Sequence, residues 1–513
     1  MIRRRTLLAA GAAMLPRFAI AQADQRPSLT VAVQKISNTG TLEPLREQSS
    51  NASEHYLAAI LETPIARNQQ GALERVPGLA TAWRRVDERT VELTLRPNVR
   101  FHDGSTLTAE DVAFSFGPQR MFGPALPSDI PAVARRHWPA LERVEAAGPL
   151  TVRFVNATPD VTMEGRLAAG GSEIISPRGF GSVWLDYAQH PVGTGPYKVR
   201  SFQPDVSLIL DSHDDYWGGR PPLKSVRFLE VPEASARVNG LLSGEYDLAC
   251  DILPDQIADI EGAGRFAVQG GPVLNHRIVN FDSHHPALQD PRVRLAMAHA
   301  IDGQAIVDGL WAGRTVVPPG LQWKIYGPMF VEGWTVPPTD PARARTLLQQ
   351  AGYKGDPIPY RIRNDYYAAE TATAQVLVEM WKQVGLNVEI GVKENWSEVL
   401  AKAPQRGLRD WSNSAVFDDP VSSIVNQEGP NGAQQQVGEW TNAEMNQLCA
   451  AMERSTDIPA RRGMFARMLQ ICEREDPAYL VLHQNANFTA LRKSLAWRAS
   501  PSFYVDLSSR GLA

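Results

Sequence analysis

Arg361 and Arg363 stand two residues apart in Tyr360-Arg361-Ile362-Arg363-Asn364-Asp365-Tyr366-Tyr367, a stretch that reads as a strand running into a loop. At a period of two both arginines face one way. A guanidinium at a strand end can grip a carboxylate through paired N–H donors; the plain alternative is a surface arginine neutralised by Asp365. Further along, Asp410 to Pro420 (DWSNSAVFDDP) offers Trp411 and Phe417 as stacking surfaces beside the paired acids Asp418 and Asp419. Trp396 is a similar aromatic but reads as core, as does Trp381, which has Val378 and Val384 at helical spacing. His284-His285 could offer imidazoles to a metal, yet neighbours on a strand point to opposite faces and few other ligands accompany them. Asp214-Asp215 reads as turn chemistry, because no series of Asp, Asn or Glu follows it. The chain has no G-x-S-x-G elbow, phosphate loop, H-E-x-x-H or C-x-x-C. Aromatics with a few directional polar groups describe a binding cleft better than a catalytic centre. No cofactor and no resident metal are expected, and the chain is not read as an enzyme.

The elements that must position these residues are legible in part. Val91, Leu93 and Leu95 alternate with Glu92, Thr94 and Arg96, the pattern of a half-buried strand. A turn at Pro97-Asn98 and tight-turn residues at His102-Asp103-Gly104-Ser105 follow it. Thr108 and Asp111 then form a capping-box pair opening a helix through Val112 and Phe116. Asp290-Pro291 and Asp340-Pro341 each put a capping Asp before a proline at the first helical position, and Gly352 is a C-terminal stop. Strands near Leu29 to Val33, Val226 to Glu230, Tyr360 to Arg363 and Val388 to Val392 alternate with helices, which predicts α/β layers. No internal repeat or low-complexity block is evident.

The stretch Leu79 to Phe116, with LRPNVRFHDG followed by LTAEDV, resembles the family 5 extracellular solute-binding proteins of bacterial ABC importers, the dipeptide-, oligopeptide- and nickel-binding type. Pro191 to Trp217, Asp290 to Gly313 and Asp340 to Tyr353 are similar to later landmarks of that family, so the likeness extends in order over most of the chain. The resemblance implies a two-lobed periplasmic binding protein fold of α/β class, with a hinge and a discontinuous first lobe carrying an extra subdomain. By that analogy residues 24–275 form the first lobe, 276–483 the second, and 484–513 return to the first. The hinge falls near Asn275 to Phe281 and His483 to Asn487.

The same resemblance assigns candidate ligand contacts. Asn38 to Pro44 resembles a loop that meets ligand with backbone groups, where Gly40 and Thr41 are the relevant residues; Gly40 could equally be a simple turn. In dipeptide-binding members an arginine grips the peptide carboxylate, and Arg363 is the nearest match, with Arg361, Asn364 and Tyr366 beside it. Asp410 to Pro420 resembles the cleft loop that ends in Asp-Pro. Peptide-binding members carry an aspartate four residues before that proline, where it pairs with the free α-amine; this chain has Val416 there, with Asp418 and Asp419 close by. An ammonium enclosed without a partner charge loses roughly several kcal/mol of hydration. Valine therefore argues against zwitterionic peptides and leaves opines, sugars, nickel chelates and other modified solutes, with peptides retained if Asp418 or Asp419 takes the amine.

Composition sets the address. With 513 residues, 43% hydrophobic and 21% charged, the chain is long enough for about three domains with sizeable cores. Arg3-Arg4-Arg5-Thr6-Leu7-Leu8, an Ala-rich apolar stretch, and small residues near Ala21 and Ala23 describe a signal peptide over 1–23. It resembles a twin-arginine signal, with an ordinary Sec signal as the alternative. Cleavage after Ala23 takes the net charge from -4 to -8, which gives no electrostatic case for nucleic acid. Cys250, Cys449 and Cys472 are expected as buried thiols rather than a bridge. The expectation is a periplasmic monomer that delivers a small solute to an ABC permease and its ATPase. The rivals are a receptor that presents ligand to a membrane sensor, and a secreted α/β hydrolase whose residues converge only in space.

Overall fold

A computed structural model describes residues 24–47, 51–181, 183–363, 366–402 and 406–512. Residues 1–23, expected as a signal peptide, and Asn364 with Asp365 lie outside the described residues.

The alternation around Val91 does its expected work. Val91, Leu93 and Leu95 are buried while Thr94 is exposed, and the strand Thr90–Leu95 is second in a four-stranded antiparallel sheet. Its neighbours are Ala80–Asp87 on one side and Thr151–Asn156 then Leu141–Gly148 on the other. Helix Ala109–Ser115 follows, opened by Asp111, whose carboxylate accepts from both the main-chain N and Oγ1 of Thr108 at 2.8 Å. Phe116, Trp138 and Phe154 close this core, with Phe116 edge-on to Phe154 at 4.8 Å. This unit is the extra subdomain of the first lobe.

A ten-stranded sheet runs through the remainder. Its second-lobe end is Val388–Lys393, Ile358–Arg363 and Leu408–Ser414. Its first-lobe end is Leu248–Ala249, Ser28–Val33, Ser225–Glu230, Ser207–Ser212 and Tyr197–Gln203. Ser28–Val33 pairs in parallel with Ser225–Glu230, and Ile358–Arg363 with Val388–Lys393; Ser28–Val33 and Ile358–Arg363 are mostly buried, whereas the edge strand Val388–Lys393 buries only Val388. The Asp-Pro signals fall as expected. Asp290 accepts from Arg292 N at 2.9 Å and Asp340 from Arg343 N at 2.8 Å, opening Pro291–His299 and Pro341–Ala351; Gly352 ends the latter at φ +70. Trp381 is wholly buried, its Nε1 donating to Met297 O at 3.1 Å.

Two long antiparallel strands, Phe266–Phe281 and Tyr479–Arg492, join the two ends of the sheet. They pair from Phe266 with Arg492 to Pro272 with Ala486, lose register, and resume at His276 with Gln484. Gly270 sits at φ +121, and a Cβ there would lie 2.0 Å from the Asn487 carbonyl oxygen, so only glycine lets the strands cross this closely. At the break Asn275 turns to Ser414: its Nδ2 donates to Ser414 Oγ at 2.7 Å, while its Oδ1 accepts from Asn485 Nδ2. Beyond Arg492 the chain returns to the first lobe, where Gln269 Nε2 donates to Trp497 O and Tyr197 Oη to Leu507 O, both at 2.8 Å. Cys250, Cys449 and Cys472 are free and buried. Among the described residues no helix is long and apolar enough to cross a membrane, and no group of three or more His, Cys, Asp or Glu side chains could hold a metal.

Candidate functional site

Between the lobes lies a cavity of about 860 Å³. Side chains of the first lobe reach across it to the segment Val416 to Asp418 of the second lobe. Arg75 Nε of the first lobe pairs with Asp418 Oδ2 at 3.0 Å. Arg67 Nη1 donates to Val416 O at 3.4 Å, and the Arg166 guanidinium lies 5.2 Å from the Phe417 ring. Gly165 admits this contact, since a Cβ there would stand 3.1 Å from both Asp418 and Phe417.

The second-lobe wall is aromatic. Tyr366, Trp396 and Trp411 form an edge-to-face run with centroids 4.9 and 5.0 Å apart, and Tyr367 packs against Tyr366 at 4.9 Å. Arg409 lies 4.3 Å over Trp411 and fixes its far face. Trp396, read from sequence as core, is instead half-buried in this wall, because the short helix Trp396–Val399, packed on the edge strands Ile358–Arg363 and Val388–Lys393, turns it to the cavity. Burial pushes the Tyr366 hydroxyl up, and that hydroxyl meets the Asn38 side chain of the first lobe.

The first-lobe wall is polar, and its acids are engaged within the protein. Glu47 Oε1 accepts from Ser37 Oγ, Thr39 N and Thr39 Oγ1 at 2.8, 2.8 and 2.5 Å. Glu62 accepts from Thr194, Tyr216 and Trp217 at 2.8 to 2.9 Å; burial nonetheless raises its carboxyl above the usual range. Glu173 accepts from Gly171 N at 2.8 Å, and burial pushes it up to about 7. Burial lowers Arg67, opposed by the charges of Asp418 and of Glu54, which is itself exposed to solvent.

The structure divides the residues singled out in the sequence. Tyr366 and Trp411 line the cavity, as does Val416. Arg363 stands at the edge of the aromatic wall, its guanidinium 5.5 Å from the Trp396 ring and 5.8 Å from the Tyr366 ring, with Nε lacking an acceptor. Arg361 corrects its expectation: it is buried, pairs with Glu439 at 2.8 Å, and donates to the carbonyls of Arg406 and Val399. Asp419 is likewise internal. It accepts two hydrogen bonds from Arg461, at 2.7 and 2.9 Å, and caps the turn Pro420–Ser422. Asp418 is taken up by Arg75, and Phe417 is buried beneath Gly165 and Arg166. Gly40 is a turn residue at φ +68 facing open space, and Thr41 is buried with Oγ1 2.8 Å from Thr39 Oγ1; neither lines the cavity, although Asn38 of the same loop reaches Tyr366. Asn364 lies outside the described residues. His284 is exposed beside Asp282, and His285 is buried as the cap accepting from Ala287 N.

Sequence reasoning missed Arg67, Gln70, Tyr216, Trp217 and Phe503 on the first-lobe wall. Tyr216 and Trp217 follow Asp214-Asp215 in a turn, and an aromatic pair in a turn was the one available signal. Arg67 lies on the three-residue strand Ile65–Arg67, too short to carry a pattern.

Residues 74–434 match the model of bacterial extracellular solute-binding proteins, family 5 Middle. The dipeptide-binding protein of Escherichia coli (strain K12) is 24% identical over 473 residues, 83% of this chain and 84% of that one. Among solved structures, the ABC transporter-associated periplasmic binding protein DppA from Helicobacter pylori, in complex with peptide STSA, superposes with a TM-score of 0.80 at 20% identity, covering 93% of this chain and 96% of that one. NikA from Staphylococcus aureus, in complex with Ni(L-His)2, gives 0.77 at 18% identity, covering 94% and 98%. The chain belongs to the bacterial extracellular solute-binding proteins of family 5, and is the substrate-binding component of an ABC importer.

Proposed function

We propose that this protein captures a small solute lacking a free α-amine in the cavity between its lobes, closes on it, and presents the closed form to its permease without making or breaking a bond. The observation that carries this reading is Val416. It stands in the cavity wall where an ammonium would need an acid, while Asp418 and Asp419 are engaged by Arg75 and Arg461. The named relatives and neighbours bind peptides and a nickel-histidine complex; this cleft keeps an aromatic wall suited to a flat or apolar portion of a solute.

The lobes take residues 24–275 with 484–513, and 276–483, and they turn about the lost register between Pro272 and His276 and the facing residues His483 to Asn487. Solute favours the closed form because only there does it touch both walls. The protein acts as a periplasmic monomer, exported by its arginine-rich leader over 1–23.

Thermal unfolding of the mature protein against free and N-acetylated dipeptides, opines, oligosaccharides and nickel chelates tests the reading. A ligand at 100 times its Kd adds about 2.7 kcal/mol, several degrees in midpoint. The expected result is a shift with an amine-free class and none with free dipeptides. A shift with free dipeptides that acetylation abolishes refutes it.

A further inference from the structure

The cavity wall holds donors to spare and its acids are already engaged. Arg67 Nη2 and Gln70 Nε2 on the first lobe and Gln427 Nε2 on the second are buried without any acceptor, and all three side chains line the cavity. The acids along the same surface have protein donors: Glu47 takes four hydrogen bonds and Glu62 three, Glu173 takes Gly171 N, and Glu54 takes the main-chain N–H of Phe503. An N–H that has left water and found no acceptor is destabilising, and more so on a guanidinium. Native walls carry such groups where a ligand completes them.

Arg67 is the most underserved of the three. Its Nε and Nη1 reach only the carbonyls of Leu73 and Val416, at 3.3 and 3.4 Å, both long for a charged donor. The nearby carboxylates act on it only through their charge and not as hydrogen-bond partners, since Asp418 is committed to Arg75 and Glu54, exposed to solvent, forms no ion pair with it. A guanidinium nitrogen out of water with no carboxylate in contact is an incomplete pair.

We infer that the solute is a carboxylate, held by Arg67 on the first lobe, with further oxygen acceptors meeting Gln70 and Gln427. The inference rests on the transport-receptor reading and deepens it by naming the charged group. It moves the carboxylate grip from the arginines at the end of the strand Ile358–Arg363 to the opposite lobe. Arg361 is locked to Glu439 inside the second lobe, and Arg363, although its Nε also lacks an acceptor, does not line the cavity, whereas Arg67 lines it with N–H capacity left. The binding group also links the lobes, because Arg67 already touches Val416 and Gln427 lies on the second lobe. A carboxylate bound there adds to closure a charge-assisted bond that the empty protein lacks.

The test is calorimetric titration and thermal unfolding of the mature protein with matched pairs: N-acetylated dipeptides and N-acyl amino acids, each as free acid and as C-terminal amide. Any small molecule released on denaturing the protein purified from its native host is analysed in parallel by mass spectrometry before and after methyl esterification. The expected result is a response to acids alone, weakened at least tenfold by Arg67→Met and a few-fold by Gln427→Leu. Gln427→Leu removes a donor with no partner, so its unliganded midpoint does not fall, and it keeps the test open if Arg67→Met fails to fold. Amides that bind as well as acids, or undiminished affinity in folded Arg67→Met, overturn the carboxylate assignment and leave the receptor reading standing. If no panel compound responds, a released molecule that gains a methyl ester supports the assignment and one that does not overturns it. No response and no released molecule overturn both.

Discussion

Arg75 and Asp418 form an ion pair across the cleft, Nε to Oδ2 at 3.0 Å, joining the small strand pair at the rim of the first lobe to the loop that ends the Leu408–Ser414 strand of the second. Both side chains keep part of their exposure, 35% and 24%, so the pair contributes about 1 kcal/mol or less. Arg75→Ala is expected to weaken solute binding by up to about fivefold and to leave the unliganded melting midpoint within about a degree, because the pair acts on closure rather than on either core. Calorimetry and small-angle scattering of the unliganded variant check this: the empty protein becomes more open.

Removing Trp411 is expected to cost affinity with little loss of stability. Its ring is half-buried, edge-on to Trp396 at 5.0 Å and under Arg409 at 4.3 Å, and it presents a face to the cavity. Aromatic contacts of this kind contribute about 0.5–1.5 kcal/mol beyond the area they bury, so Trp411→Ala weakens binding by about tenfold. Trp381→Ala is the contrast: it empties a wholly buried site and lowers stability by about 3–5 kcal/mol. Binding measured on the remaining folded protein stays near that of the parent.

Asp419 and Arg361 are expected to behave as structural residues. Asp419→Ala leaves Arg461, 1% exposed, without its counter-charge and strips the cap from Pro420–Ser422, a loss of about 3 kcal/mol or more. Arg361→Ala removes one of the two arginines on buried Glu439, the other being Arg409 at 2.7 Å. Denaturant titration reports both losses. An affinity loss without a stability loss, in either variant, assigns that residue to the ligand instead.

The pH dependence of stability follows from Glu428 and His137. Glu428 is fully buried and neither carboxyl oxygen has a partner, so burial raises it well above the ordinary carboxyl range. The folded state then binds the extra proton, and stability falls as pH rises from about 4.5 toward the folded value. His137, buried beside Arg166, is pushed down to about 3; there the unfolded chain binds the extra proton, and stability falls as pH drops below about 6.5. Melts at pH 5 and pH 8 check the first: Glu428→Gln loses less midpoint over that interval than the parent.

What the sequence disclosed was local. Thr108 with Asp111, Asp290, Asp340 and Gly352 determine helix ends through atoms a few residues apart, and the Val91 alternation needs only one buried face. The fate of Arg361 was not local, because its partner Glu439 lies far along the chain and comes beside it only when Leu408–Ser414 pairs with Ile358–Arg363. Trp396 failed for a similar reason: its type fits a core, and only the position of its short helix puts it in the cleft. Arg67 left no trace at all, since a strand of three residues has no period. The expectation at Val416 rests on a missing charge, whose meaning does not depend on packing, and the structure puts that residue in the cavity wall.

The first lobe meets the segment Val416 to Asp418 through Arg67, Arg166 and Arg75. On the proposed function, cargo choice and closure therefore rest on the same three residues. An acid installed at position 416 to admit peptides would also attract Arg67 and shut the vacant receptor, which would then occupy the permease while carrying nothing.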